Sequence, residues 1–186
     1  MSKKKRPRSL GQLIWASRPV TSTVWPHDNA LIAFGFKLYG FGVEAARIAR
    51  AISGAGSHFP FNQLPELYTS TEREDAAFPV QYLGANVPQA WAAGSVFTLL
   101  RTMLGFMPDP NRGKLYVDPE LPDWLPDLTV LDLRVHSRIY DIRFWREGGA
   151  TKFEVLRGDS KLIERRPMAA ALETPACEPE PTAPAG

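Results

Sequence analysis

The spacing of apolar residues changes from helical to alternating near the middle of the chain, and this change limits the fold more than any other feature. Up to residue 104, apolar residues recur at intervals of three and four, which predicts helices over 29–39, 43–53 and 89–104. After Gly113 the interval becomes two residues, which predicts antiparallel strands. These strands are expected over 131–135, 140–144, 152–156 and 161–165. The chain therefore combines a helical part with a small antiparallel sheet.

The third predicted helix, 89–104, differs from the other two because apolar residues cover nearly all of its faces. Such a helix is normally buried on every side. Three helices do not enclose a core by themselves, so the helical part is expected to be an open piece of a larger assembly. We therefore predict exposed apolar patches on it.

The two ends of the chain differ in composition from its middle. Residues 1–9 are strongly basic, and residues 168–186 are rich in Pro, Ala and Glu, so neither end can bury enough apolar surface to offset ordering. We predict disordered tails at both ends. The middle is expected to divide into a helical segment at 10–115 and a small antiparallel β region at 116–167.

Cysteine usage and hydropathy favour a soluble cytoplasmic protein without a metal or a cofactor. Cys177 is the one cysteine, so the chain can form neither an internal disulfide nor a thiolate metal cluster. His58 and His136 are isolated from each other and from acidic residues at ligand-like spacing. No apolar run approaches the roughly 18 residues of a membrane span, so no membrane partner is expected.

Residues 25–29, Trp-Pro-His-Asp-Asn, place an aromatic ring, an imidazole, a carboxylate and an amide at a strand-to-helix junction. Trp25 can stack on a pyranose ring, while His27, Asp28 and Asn29 can bond to sugar hydroxyls. The same segment suits a helix start, with Asp28 or Asn29 as the cap. The residues alone do not decide whether Asp28 caps the helix or contacts a ligand.

Together with 64–68, Leu-Pro-Glu-Leu-Tyr, and 88–94, Pro-Gln-Ala-Trp-Ala-Ala-Gly, this segment resembles the C-terminal part of the bacterial amylo-α-1,6-glucosidase (glycogen debranching) family. The resemblance is close over 24–104 and looser to about residue 165. It implies a mainly α fold, a partial (α/α) toroid of the six-hairpin glycosidase type followed by an antiparallel β-meander. It also implies a truncated glycoside hydrolase that acts on α-glucans.

The resemblance implies roles for individual residues. Inverting glycoside hydrolysis needs a general acid and a general base on opposite sides of the scissile bond. Glu66 is the implied base, with the ring of Tyr68 nearby and Gln89 as a further substrate contact. From the residues alone, Glu66 would instead be a surface carboxylate. Trp91 is expected to pack in the core.

The general acid of that family, an Asp, lies upstream of the segment that this chain resembles. Loss of one member of an acid–base pair costs about 100-fold to 10,000-fold in that step, so we expect little or no hydrolysis from this chain alone.

Three functions follow from the sequence. The first is the weakened hydrolase, and the second is a non-catalytic carbohydrate-binding or interaction module. The third, nucleic-acid binding through the basic residues 3–8, is the least favoured because that run lacks interleaved aromatics and a recognisable module. The expected partners are an α-glucan and another chain that covers the open helical face.

Overall fold

The computed structural model of the protein describes residues 23–70 and 78–171. The predicted basic tail at 1–9, Cys177 and all of the predicted C-terminal tail after residue 171 lie outside these residues. The helices of the described part are α1 (Pro26–Leu38), α2 (Gly42–Gly56) and α3 (Ala90–Leu104). Short 3-10 turns cover Pro60–Asn62, Ser160–Leu162 and Met168–Ala171. No helix in this part of the chain is long and apolar enough to cross a bilayer.

The strands of the described part fall into three small sheets. They are β1 (Thr23–Val24), β2 (Tyr68–Thr69), β3 (Met107–Asp109), β4 (Lys114–Val117), β5 (Asp127–Val135), β6 (Arg138–Glu147), β7 (Ala150–Arg157) and β8 (Ile163–Arg165). The sheet orders are β1-β2, β3-β4-β8 and β5-β6-β7.

The three helices share one apolar core. Ala30 and Ala33 of α1 are fully buried and pack in one cluster with Ile48 and Ile52 of α2 and with Leu99 of α3. Alanine side chains are short, so their positions on α1 let the neighbouring helices approach closely. The helix starts at Pro26, whose fixed φ suits the first helical position.

A small sheet positions the N-terminal ends of α1 and α3. Val24 of β1 pairs antiparallel with Tyr68 of β2. On the other side of β2, the backbone N–H of Thr69 donates to Val80, and that of Tyr82 donates to Leu67. The segment before α1, the segment around β2 and the segment before α3 therefore run side by side.

Three of the strands predicted after Gly113 are confirmed, although Leu131, expected on the half-buried face of the first, is 64% exposed where the strand bulges between Val130 and Leu133. β5, β6 and β7 form an antiparallel sheet, and Tyr140, Ile142 and Phe144 of β6 are buried in its core. The predicted fourth strand behaves differently. β8 pairs in parallel with β4, Leu115 opposite Ile163, and does not extend the meander.

The predicted fold class, a mainly α protein with a partial toroid, is wrong. The described residues hold three α-helices against eight strands in three sheets. A toroid is built from successive helical hairpins, whereas here one hairpin, α1–α2, packs with α3 and the chain then turns to strands. The β part is as extensive as the helical part, and the glycoside hydrolase class loses the support that it drew from the toroid.

The predicted burial of α3 on every side is also wrong, because Trp91 and Phe97 are 64% and 74% exposed. The two remaining helices cover only one side of α3, and the apolar core of the sheets takes in Leu104 at its C-terminal end. Leu31 and Ile32 of α1 are exposed as well. The predicted exposed apolar patches are therefore confirmed.

Candidate functional site

Aromatic and carboxylate side chains collect at the N-terminal ends of α1 and α3. The imidazole of His27 lies against the indole of Trp91, with ring centroids 4.5 Å apart and planes at 45°. This contact shows that the first turns of the two helices lie side by side. We call the group of residues at this end the helix-end site: Trp25, His27, Asp28, Glu66, Asn86 and Trp91.

Glu66 is held in the helix-end site by Asn86. Its Oε2 accepts from the side-chain Nδ2 of Asn86 at 2.9 Å and from the backbone N of Asn86 at 3.2 Å. The backbone N–H of Glu66 in turn donates to the carbonyl of Asn86 at 3.0 Å. Hydrogen bonds to a carboxylate are stronger than neutral ones, so this half-buried side chain has a fixed position.

The position of β2 brings Glu66 to the start of α1. Glu66 stands two residues before Tyr68, and Tyr68 pairs with Val24. Trp25 directly follows Val24, and its Nε1 donates to Thr23 at 2.9 Å. The indole of Trp25 is half-buried and thus partly open to solvent.

Asp28 is the most open acidic group of the helix-end site. Its side chain is 62% exposed, and its Oδ1 lies 3.4 Å from Nδ1 of His27. The prediction that Asp28 or Asn29 caps α1 is wrong, because the capping position is occupied by Trp25 without a side-chain cap. Asp28 stands in the first turn, where a negative charge is favoured by the helix dipole. Its carboxylate remains available to a ligand.

The other predicted site residues are used by the fold. Asn29 is buried, and its Nδ2 donates to the carbonyl of Trp25 at 2.9 Å. Gln89 caps α3, since its Oε1 accepts from the backbone N of Ala92 at 2.7 Å. Tyr68 is fully buried, and burial raises the pKa of its hydroxyl above the ordinary value. Burial or a hydrogen bond to the backbone thus accounts for each of these three side chains.

Two members of the helix-end site were not predicted from the sequence. Trp91 was expected in the core because the apolar residues of α3 surround the helix and do not show which face is outward. Asn86 lies in a loop without periodicity, and no pattern marked it as the partner of Glu66. Its spacing of 20 residues from Glu66 is set by the pairing of the two segments.

The chemistry of the helix-end site is that of a partly open aromatic surface bordered by carboxylates. Trp91, His27 and Trp25 offer ring faces, while Asp28 and Glu66 offer acceptor oxygens and Asn86 an amide. No group of three or more His, Cys, Asp or Glu side chains suited to a metal occurs among residues 23–70 and 78–171. The arrangement suits a polyhydroxylated ligand with an apolar face.

Comparisons with protein-family models and with curated proteins found no match for this chain. The resemblance to the amylo-α-1,6-glucosidase family therefore stays a prediction from the three segments at 25–29, 64–68 and 88–94.

Proposed function

We propose that the chain is a non-catalytic module that binds α-glucan oligosaccharides at the helix-end site. The observation that carries the proposal is the exposed indole of Trp91 packed against His27, whose Nδ1 lies 3.4 Å from the carboxylate of Asp28. One face of a pyranose ring presents C–H groups to the negative face of an aromatic ring. Its hydroxyls point outward in the ring plane, where carboxylate and amide groups can bond to them.

The two carboxylates of the helix-end site, Asp28 and Glu66, support sugar binding better than they support hydrolysis. In glycoside hydrolysis, the general acid is kept protonated by an apolar, desolvated setting. Asp28, the second carboxylate of the helix-end site, is 62% exposed and lies beside an imidazole. Glu66 accepts two hydrogen bonds from Asn86, which suits a fixed acceptor for a hydroxyl. The geometry thus favours recognition of the sugar.

Calorimetric titration with maltoheptaose tests the proposal. Trp91→Ala should weaken binding about tenfold, the loss expected when one aromatic stacking surface is removed. The matched control is Phe97→Ala, because Phe97 is an exposed aromatic of the same helix outside the helix-end site. It should leave the affinity within about twofold. Absence of binding, or equal losses in both variants, would refute the assignment.

A hydrolysis assay separates the module from an enzyme. The chain should release no glucose from panose, an oligosaccharide with an α-1,6 bond, and Glu66→Gln should change nothing but the affinity. Turnover by the native chain that disappears in Glu66→Gln would replace this proposal with a hydrolytic one.

A second candidate function is docking of another protein chain on exposed apolar side chains of α1 and α3. It is favoured by the exposed apolar side chains there, namely Leu31, Ile32, Val96 and Phe97. Exposed apolar patches of this kind commonly mark interaction surfaces. Sedimentation velocity tests it in the form of self-association, which Phe97→Ala should reduce. A native chain that stays monomeric at high concentration would argue against a second copy as the partner.

A further inference from the structure

A cleft of about 580 Å³ separates α2 from the β part, on residues distinct from the helix-end site. One wall is the outer face of α2, with Arg47 and Arg50. The opposite wall is formed by residues 118–124, by Arg146 of β6 with the following β6–β7 turn, and by Arg165 of β8. Small-molecule sites commonly measure 300–1,000 Å³, so this cleft has the size of a ligand site.

The carboxylates of the cleft are already paired. Asp118 and Glu120 lie 3.4 and 2.8 Å from Nζ of Lys37, and Asp123 lies 2.7 Å from Nη2 of Arg146. These three carboxylates pair with only two of the five basic side chains that line the cleft, Lys37 and Arg146. The lining therefore carries a net positive charge, which Arg47, Arg50 and Arg165 supply.

Three arginines of the cleft form no ion pair with a carboxylate among residues 23–70 and 78–171. Arg47 and Arg50 are exposed and stand three residues apart on α2, so their positive charges face the same side of the helix. Arg165 is held in place from the other wall, because its Nη2 donates to the carbonyl of Thr151. A like-charged pair on one helix face costs free energy unless an anion lies between the side chains.

We propose that this cleft binds a small organic phosphate. Guanidinium groups match phosphate oxygens with paired N–H donors, and Arg47, Arg50 and Arg165 approach from two walls. The half-buried indole of Trp124 lines the same cleft and supplies an apolar surface for the organic portion. The cleft shares no residue with the helix-end site, so the failure of one proposal would not affect the other.

Titration calorimetry of the full chain with inorganic pyrophosphate, in about 0.15 M NaCl to screen surface charges, tests the proposal. Arg47→Gln/Arg50→Gln should weaken binding at least about tenfold, because each lost donor was bonded to a charged group. The control is Arg134→Gln/Lys161→Gln, which removes the same charge from exposed positions outside the cleft. It should leave the affinity within about twofold.

Tryptophan fluorescence locates the bound anion independently. Pyrophosphate should change the emission of the native chain, and Trp124→Phe should remove that change. The proposal is overturned if the native chain does not bind pyrophosphate, if both double variants weaken binding alike, or if the emission change survives in Trp124→Phe.

Discussion

A single carboxylate, that of Asp141, stabilises the irregular part of the β5–β6 pairing. The register of these strands shifts between Val130 and Leu133, and Asp132 within this bulge has a φ of 54°. Oδ1 of Asp141 accepts from the backbone N of Asp132 and from Nη2 of Arg157, both at 2.8 Å. The backbone donor that the bulge removes from the strand ladder thus finds an acceptor.

This arrangement predicts an acid-sensitive contribution to stability. The hydrogen bond from Arg157, followed by that from Asp132, lowers the pKa of Asp141 below its ordinary value. A carboxyl with a lowered pKa in the folded state stabilises the protein above its unfolded pKa of about 3.9, and the contribution is lost as the pH falls through the folded pKa. Asp141→Asn should therefore lower the urea midpoint at pH 7, and the deficit should shrink progressively below about pH 4.

Urea unfolding followed by circular dichroism at pH 7, 4 and 2.5 measures this effect. Glu154→Gln is the control, since Glu154 is exposed on β7 and accepts no hydrogen bond from a side chain in the described part of the chain. A deficit in Asp141→Asn that is the same at every pH would show that the charge of Asp141 is not the cause.

Among the elements, the C-terminal end of α3 has a strict backbone requirement. Gly105 closes the helix with a φ of 63°, and a Cβ built there would lie 2.6 Å from the backbone N and O of Asp118. Gly105→Ala should destabilise the protein by about 2–5 kcal/mol, from the left-handed backbone and the steric overlap together.

Gly94 is the matched control within the same helix. A Cβ at Gly94 would meet no atom within 4 Å, and the residue is exposed. Gly94→Ala should therefore stabilise the protein by about 0.5–1 kcal/mol, since alanine is the better helix former. Thermal unfolding of the two variants should show shifts of opposite sign, and shifts of the same sign would contradict this account of Gly105.

The element positions could be predicted from the sequence more fully than their partners. Helices expected at 29–39, 43–53 and 89–104 occur at Pro26–Leu38, Gly42–Gly56 and Ala90–Leu104, because helical periodicity is a local signal. The pairing of β8 with β4 depends on contacts between residues 48 positions apart, Leu115 and Ile163. No local pattern in the sequence indicates such a pairing. The predicted fold class was wrong for another reason, because the toroid was carried over from a resemblance.

The candidate site could be predicted only in part. His27 and Asp28 lie 3.4 Å apart at the start of α1, and Glu66 stands two residues before the strand that pairs with β1, while the ligand role of each residue stays a prediction. Asn29 and Gln89 could not be told apart from ligand contacts, because an amide that bonds to backbone and one that bonds to sugar look alike in sequence. Exposure of Trp91 depends on which neighbours α3 has.

At the scale of the whole molecule, Lys37 connects the helical part to the β part. Its side chain is 6% exposed, and its Nζ bonds to Glu120 at 2.8 Å and lies 3.4 Å from Asp118. Removing one partner of a fully buried pair costs about 3–5 kcal/mol. Glu120 is 49% exposed and can turn to water, so Lys37→Met should cost less, about 1–3 kcal/mol.

A double-mutant cycle isolates this connection. Free energies of unfolding from urea titrations of Lys37→Met, Glu120→Gln and the double variant give the coupling energy, which should be at least about 0.5 kcal/mol. If the free-energy cost of the double variant equals the sum of the two single costs, the ion pair does not join the helical part to the β part.

The parallel pairing of β4 with β8 has a consequence for synthesis. β4 leaves the ribosome almost fifty residues before its neighbour β8, because Leu115 of β4 pairs with Ile163 of β8. Until then one side of β4 offers unsatisfied N–H and C=O groups, the kind of template on which strands of other molecules add. A nascent chain stalled between these points would be prone to aggregate, and release of β8 is the event that removes this hazard.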